Sequence, residues 1–275
     1  MGAGLLILRQ RGCEEASRVT IALTSASVGC GIIELLKTAP QTEQRREIDV
    51  RLGILGTGTV GQTIAARLVE LGHDVVIGTR DPAETLSRTE PDAYGTPPFS
   101  AWQQEHSEVK VGTFGEATAH GDIIVNATAG AASLEALELA GEANLNGKTL
   151  IDVANPLDFS QGMPPTLSVS NTDSLGEQIQ RRFPEVKVVK TLNTMNAYLM
   201  VNPAQLAGAD HTVFVSGDDV EAKATVTELL RSFGWTDIVD LGNIGTARGA
   251  EMLLPIWLRL LGALQDPVFN FKIVR

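Results

Sequence analysis

From residue 51 onward the chain alternates between short β-branched apolar runs and stretches in which apolar residues recur every three or four positions. The runs RLGILG (51–56), HDVVIGT (73–79), VKVGTF (109–114), DIIVNAT (122–128), TLIDVAN (149–155) and VKVVKTLN (186–193) are continuous rather than alternating. That is the pattern of strands buried on both faces. Helical patterns lie between most of them. The clearest is 60–71, where Val60, Ile64, Leu68 and Leu71 share one face and Gly72 closes the helix; 133–140 and 174–182 are shorter. The alternation predicts an α/β fold, a doubly wound parallel sheet with helices on both faces.

One connection is long. Residues 82–108 contain four prolines and little periodicity, so the sequence predicts a loop excursion following the second strand, beside the adenosine end of any bound dinucleotide. The C-terminal third resumes the pattern with HTVFVSG (211–217), a helix over 219–233 and TDIVDLG (236–242). An apolar helix follows over 245–264, interrupted by Pro255, and 267–275 reads as a short edge strand. Leu253, Leu254, Ile256, Trp257, Leu260 and Leu261 are more apolar than one domain face requires, which fits a buried core helix or a dimer interface. The expected division is a dinucleotide-binding domain over 50–200 and a smaller helical or α+β extension over 201–275, which completes a second pocket and provides the interface of a homodimer.

Composition narrows the classes. With 275 residues, 43% hydrophobic and 20% charged, the chain is an ordinary globular protein. A formal net charge of -11 argues against a nucleic-acid partner, which calls for a basic face. Both cysteines, Cys13 and Cys30, precede residue 50, so the main domain has neither a disulfide framework nor a thiolate metal cluster, and a cytoplasmic location is expected. Residues 19–36 follow Arg9, Arg11 and Arg18 in the manner of a signal peptide, and SVGCG resembles a lipoprotein cleavage site around Cys30. Against export, the run is rich in Ser, Thr and Gly, includes Glu34 and lacks a small-x-small cleavage pattern; it is also too weakly apolar to span a membrane. Residues 1–49 are therefore expected to be a poorly ordered tail, or a gene-start artefact if Val50 is the true initiation site.

The chemistry concentrates at the first strand–helix junction. Gly56, Thr57, Gly58, Thr59, Val60 and Gly61 form a G-x-G-x-x-G turn between a predicted strand and a predicted helix, the fingerprint of a Rossmann dinucleotide site. NAD enzymes place an Asp or Glu at the end of the second strand, where this chain has Thr79-Arg80 and only then Asp81. A hydroxyl followed by a guanidinium suits the 2′-phosphate of NADP, the alternative being that Asp81 accepts the ribose hydroxyls of NAD. Further ligand contacts are expected at the other strand ends: Ala127 and Thr128, then Ala154, Asn155 and Pro156, then Asn193, Thr194 and Asn196. For the Asn and Thr residues, capping of the following helix is an equal alternative.

What is missing also counts. There is no Ser-Tyr-x-x-x-Lys pattern and no cluster of metal ligands, and His73, His106, His120 and His211 read as ordinary surface histidines. The site thus offers no catalytic acid or base. Ketone reduction needs a proton donor, whereas hydride exchange between two cofactors proceeds by positioning. Three readings stay open: hydride transfer between NADP(H) and a second redox cofactor, NADPH-dependent reduction of a small carbonyl, imine or metal centre, and a non-catalytic NADP(H)-binding redox sensor.

From residue 51 to 275 the chain resembles the NADP-dependent oxidoreductases of the deazaflavin coenzyme F420. The motifs that carry this are GILGTGTVGQTIAARL, IGTR, VNAT, DVANP, VVKTLNTMNAYLMVNP, FVSGDD and LGNIGTARGAE. The resemblance implies NADP on Gly56–Gly61, its 2′-phosphate on Thr79 and Arg80, and the nicotinamide near Ala127-Thr128. It also implies F420 as co-substrate beside 154–156 and 193–198, and a cytoplasmic homodimer joined by the C-terminal helices.

Overall fold

A computed structural model describes residues 50–91 and 95–275; the expectations for residues 1–49 lie outside the described residues. The strands are β1 (Arg51–Leu55), β2 (Asp74–Thr79), β3 (Lys110–Thr113), β4 (Ile123–Asn126), β5 (Thr149–Asp152), β6 (Leu157–Asp158), β7 (Thr166–Leu167), β8 (Lys187–Thr191), β9 (Thr212–Ser216) and β10 (Asp237–Gly242). Eight of them form one sheet in the order β10-β9-β8-β5-β4-β1-β2-β3, with β6 and β7 as a separate antiparallel pair. The run from β3 to β8 has the doubly wound 3-2-1-4-5-6 order, with the reversal between β1 and β4.

The continuous apolar runs are explained by what lies on the two faces. Leu52, Ile54, Val75, Ile77, Val125 and Val189 point to one core, while Val76, Ile124 and Val188, one residue out of phase, point to the other. The first core is closed by α1 (Thr59–Glu70), which contributes Ile64 and Leu68. A Schellman end stops this helix at Gly72, whose N–H bonds Val69 O while His73 N–H reaches back to Leu68 O.

The described residues of the connection over 82–108 include two helices where the sequence predicts a loop. They are α2 (Pro82–Ser87) and α3 (Phe99–Glu105). Asp81 caps α2 through a 2.9 Å bond from Glu84 N–H, and Phe99 is buried in the first core. The stretch read as one strand over 109–114 ends early, because Thr113 and Glu116 form a capping box that starts α4 (Phe114–His120). Next come α5 (Ser133–Ala140), α6 (Glu142–Leu145), α7 (Leu175–Arg182), α8 (Ala197–Val201) and α9 (Val220–Phe233).

The C-terminal third departs from expectation in three places. β9 runs antiparallel to β8, so the sheet is parallel except at that junction. The apolar helix divides into α10 (Ala247–Met252) and α11 (Leu254–Leu264), Pro255 standing in the first turn of the second. Residues 267–275 do not form an edge strand: Thr212 N–H bonds Phe271 O, but Ile273 N–H bonds the Thr212 side chain, so no backbone ladder continues. His211 is not a surface histidine. It is 3% exposed, lies edge-on to Trp235 and bonds Pro203 O and Asn270. No helix among the described residues is long and apolar enough to cross a membrane.

Candidate dinucleotide-binding site

The turn from β1 into α1 sits at the reversal of strand order, where doubly wound sheets open a crevice. Its three glycines face different surroundings. At Gly56, φ is +117° and an added Cβ would lie 2.6 Å from Ala127 O; at Gly61 it would lie 2.1 Å from Gly56 O. Both therefore serve close backbone packing. At Gly58 an added Cβ would meet nothing within 4 Å, so the missing side chain leaves open space in front of the helix rather than relieving a clash. Thr57 is half-buried and its carbonyl accepts a 2.8 Å bond from Gln62, while Gly58 and Thr59 are exposed and Val60 half-buried.

α2, α4, α7 and α9 each have a side-chain cap and an acid in the first turn. α1, like α3, α10 and α11, has neither at its N-terminus, and the open space at Gly58 lies directly before it. Its amide donors and the positive end of its dipole meet only the space that Gly58 keeps clear, a cradle suited to an anionic pyrophosphate.

A cleft of about 340 Å³ continues from this turn past Thr79, Arg80 and Arg88. Thr79 is buried, its hydroxyl 2.9 Å from that of Thr85, while Arg80 reaches out to Glu135 at 3.0 Å. Arg88 pairs with Glu84 at 2.6 Å. These pairs are exposed, with side chains 60–64% accessible, so each contributes at most about 1 kcal/mol and yields readily to a dianionic phosphate. Asp81 is already engaged as the cap of α2. Nothing in the sequence singles out Arg88, because its stretch has the pattern of a loop; only the turn of α2 brings it to the cleft.

On the other side of the Ala127–Ala129 loop a second cleft, about 350 Å³, is lined by Val60, Thr128, Ala154, Asn155, Leu157 and Phe159 among others. None of its lining residues is ionisable. Pro156 is buried, its carbonyl accepting from Ser168 N–H and Oγ. The Asn155 side-chain amide donates to the Asn193 backbone carbonyl, and the Asn193 amide donates back to Asn155 Oδ1 and to Ala250 O at 3.1 Å. Asn193 and Thr194 are 2% exposed, and Asn196 caps α8 through Leu199 N–H. For Asn196 the helix-capping alternative is thus the one the structure displays. Just before them Leu192, buried and one residue past β8, holds φ at +61°, a left-handed conformation that costs a residue with a Cβ about 1–2 kcal/mol and persists only where its surroundings enforce it.

Beneath both clefts lies a buried polar cluster that the sequence pattern hid. Asn126, Asp152 and Lys190 are at most 1% exposed at the ends of β4, β5 and β8, and Glu251 reaches them from α10. Lys190 lies 2.8 Å from Asp152 and 2.9 Å from Glu251. Burial alone would push the Lys190 ammonium down, but the two carboxylates outweigh it and hold its pKa above the ordinary lysine value. A sequence signal was present: opposite charges at paired positions of adjacent strands, inside otherwise apolar runs. No group of three or more His, Cys, Asp or Glu placed to hold a metal occurs among the described residues.

Comparison with known proteins agrees with this geometry. Residues 51–156 match the family model for NADP oxidoreductase, coenzyme F420-dependent. A crystal structure from Arthrobacter sp. FB24, provisionally named an F420-dependent NADP reductase, is 62% identical; the match covers 82% of this chain and 100% of that one, with a TM-score of 0.79. The F420-dependent NADP reductase of Methanothermobacter marburgensis is 24% identical over 77% of this chain and 92% of its own length. Metalloreductase STEAP3 of Rattus norvegicus is 32% identical over 75% of this chain, which spans only 38% of that relative.

Proposed function

The chain belongs to the family of coenzyme F420-dependent NADP oxidoreductases, and from that premise we propose that it transfers a hydride between NADP(H) and F420. It is an NADP-dependent oxidoreductase; the identity of the second cofactor is our inference. The observation that carries it is the second cleft, which is apolar and has no ionisable side chain in its lining. Reduction of a carbonyl or imine calls for a positioned proton donor, whereas direct hydride exchange between two flat rings calls for apposition and exclusion of water.

In this reading the α1 N-terminus and Gly56–Gly61 hold the pyrophosphate, and Thr79, Arg80 and Arg88 take the 2′-phosphate in place of Glu135 and Glu84. Ala127 and Thr128 border the nicotinamide, and Ala154 and Asn155 border the deazaflavin, with the buried Pro156 holding the turn behind them. Asn193 supports that border from beneath through its bonds with Asn155, beside the buried Thr194, while Asn196 caps α8. When bound, NADPH would give up a hydride from its nicotinamide ring, and NADP would take one there in the reverse direction; the protein's part is to bind and align. Residues 50–200 form the cofactor domain. Residues 201–275 supply none of the second cleft's lining; they extend the sheet by β9 and β10 and join two copies of the chain in the cytoplasm. Titration of the NADP-loaded protein with F420, followed by quenching of F420 fluorescence, tests the assignment. Saturable binding that is abolished by a bulky Ala154→Trp substitution is expected; absence of F420 binding to NADP-loaded protein would contradict it.

A further inference from the structure

We propose that Lys190 is a positioning residue for the nicotinamide end of bound NADP(H); this rests on the NADP(H) reading above and adds a residue that touches neither cofactor. The ammonium has three donors and three acceptors, each in a different segment at the crevice: Asp152 Oδ2 at 2.8 Å, Ala154 O at 2.5 Å and Glu251 Oε1 at 2.9 Å. Asp152 ends β5, Ala154 lines the second cleft, and Glu251 belongs to α10.

The ties run outward to both clefts. Asp152 Oδ1 accepts from Asn126 Nδ2 at 2.9 Å and from Ala154 N–H at 3.2 Å. Asn126 Oδ1 in turn accepts from the Thr128 hydroxyl at 2.7 Å and from Thr128 N–H at 3.3 Å. Thr128 lines the cleft on each side of its loop. In the opposite direction Glu251 accepts from Leu175 N–H at 2.9 Å and Gly176 N–H at 3.1 Å, which fastens the start of α7 to the same ammonium. One cation therefore fixes the loop after β4, the turn after β5 and two helices relative to one another.

A purely stabilising role explains the arrangement poorly. A buried ion pair offers little net stability over apolar residues of the same volume, because desolvation offsets the attraction. A methionine would fill the space, but it would leave the directions of Ala154 O, Asp152 and Glu251 undetermined. The left-handed Leu192, two residues after Lys190, and the Asn193–Asn155 cross-tie beside it mark the same region as held in one geometry.

The test uses two ligands that share the adenosine half. NADPH carries the nicotinamide; 2′,5′-ADP ends before it. Dissociation constants for both are measured by calorimetry on wild type, Lys190→Met, Lys190→Arg and Asn126→Leu, each checked for folding by circular dichroism and thermal melting. Asn126→Leu cuts the tie to Thr128 and leaves the charged trio intact, so it decides the matter if Lys190→Met does not fold. The expected result is that Lys190→Met and Asn126→Leu weaken NADPH about tenfold or more, with 2′,5′-ADP within about twofold of wild type and Lys190→Arg intermediate. Equal weakening of both ligands, or unchanged affinities with a lowered melting temperature, would overturn the proposal and leave Lys190 a structural residue. Wild-type protein that binds neither ligand would overturn the NADP(H) reading itself, a distinguishable outcome.

Discussion

At Gly58 and Gly61 the same substitution has opposite physical consequences. An alanine methyl at position 61 would press into Gly56 O at 2.1 Å, so Gly61→Ala must displace α1 from its own turn. We expect a loss of about 1–3 kcal/mol in denaturant unfolding together with loss of NADPH binding. Gly58→Ala meets no protein atom within 4 Å, so its unfolding midpoint should match wild type while NADPH affinity falls, because the methyl occupies the pyrophosphate approach. Gly58→Ala protein that binds NADPH normally would remove this residue from the site. Arg80 supplies a charge-assisted contact that only the phosphorylated cofactor can use. Arg80→Ala should raise the NADP dissociation constant about 10–100-fold and leave NAD nearly unchanged; equal losses for both would locate the 2′-phosphate elsewhere.

At the level of elements, caps determine where helices start. Thr113 accepts from Glu116 N–H while Glu116 accepts from Thr113 N–H, so Thr113→Ala should cost about 0.5–2 kcal/mol in urea unfolding, with NADPH affinity retained. The bidentate hold of Arg248 on Glu177, at 2.7 and 2.6 Å, keeps that carboxyl below the usual glutamate range. Because the folded value is depressed, this contribution is fully present above the unfolded value near 4.5 and fades as pH falls through the lowered one. Arg248→Met should therefore flatten the acid limb of a stability–pH profile, and an unchanged limb would refute the assignment. The same elements show what the sequence reveals. Continuous apolar runs such as VVIGT and IIVNAT disclose strands because both faces are buried, and the glycine fingerprint discloses α1 because its spacing is tied to one turn geometry. α2 and α3 were hidden by Pro82, Pro91, Pro97 and Pro98, which resemble loop punctuation although Pro82 opens a helix. α4 was hidden because VKVGTF carries its apolar pattern across a helix start. The Lys190 cluster was hidden because long-range pairing, invisible in local periodicity, brings Asn126, Asp152 and Glu251 to it.

At the scale of the whole molecule, apolar surface remains on and beyond the last helix: Ile256 is 46% exposed, Leu264 55% and Val268 46%. If two copies join through this face, sedimentation equilibrium should give about twice 29.3 kDa, and Ile256→Glu with Leu264→Glu should return the 29.3 kDa monomer. Wild-type protein sedimenting as a monomer at micromolar concentration would contradict the homodimer. The central claim concerns what the two clefts exchange, and isotopic labelling tests it most directly. NADPH deuterated at the transferring carbon is incubated with the protein and oxidised F420, and the products are analysed by mass spectrometry. Direct hydride transfer predicts deuterium in the reduced F420 with stoichiometric NADP, greatly slowed by Arg80→Ala. NADPH that binds but leaves F420 unreduced, or deuterium lost entirely to solvent, would contradict it.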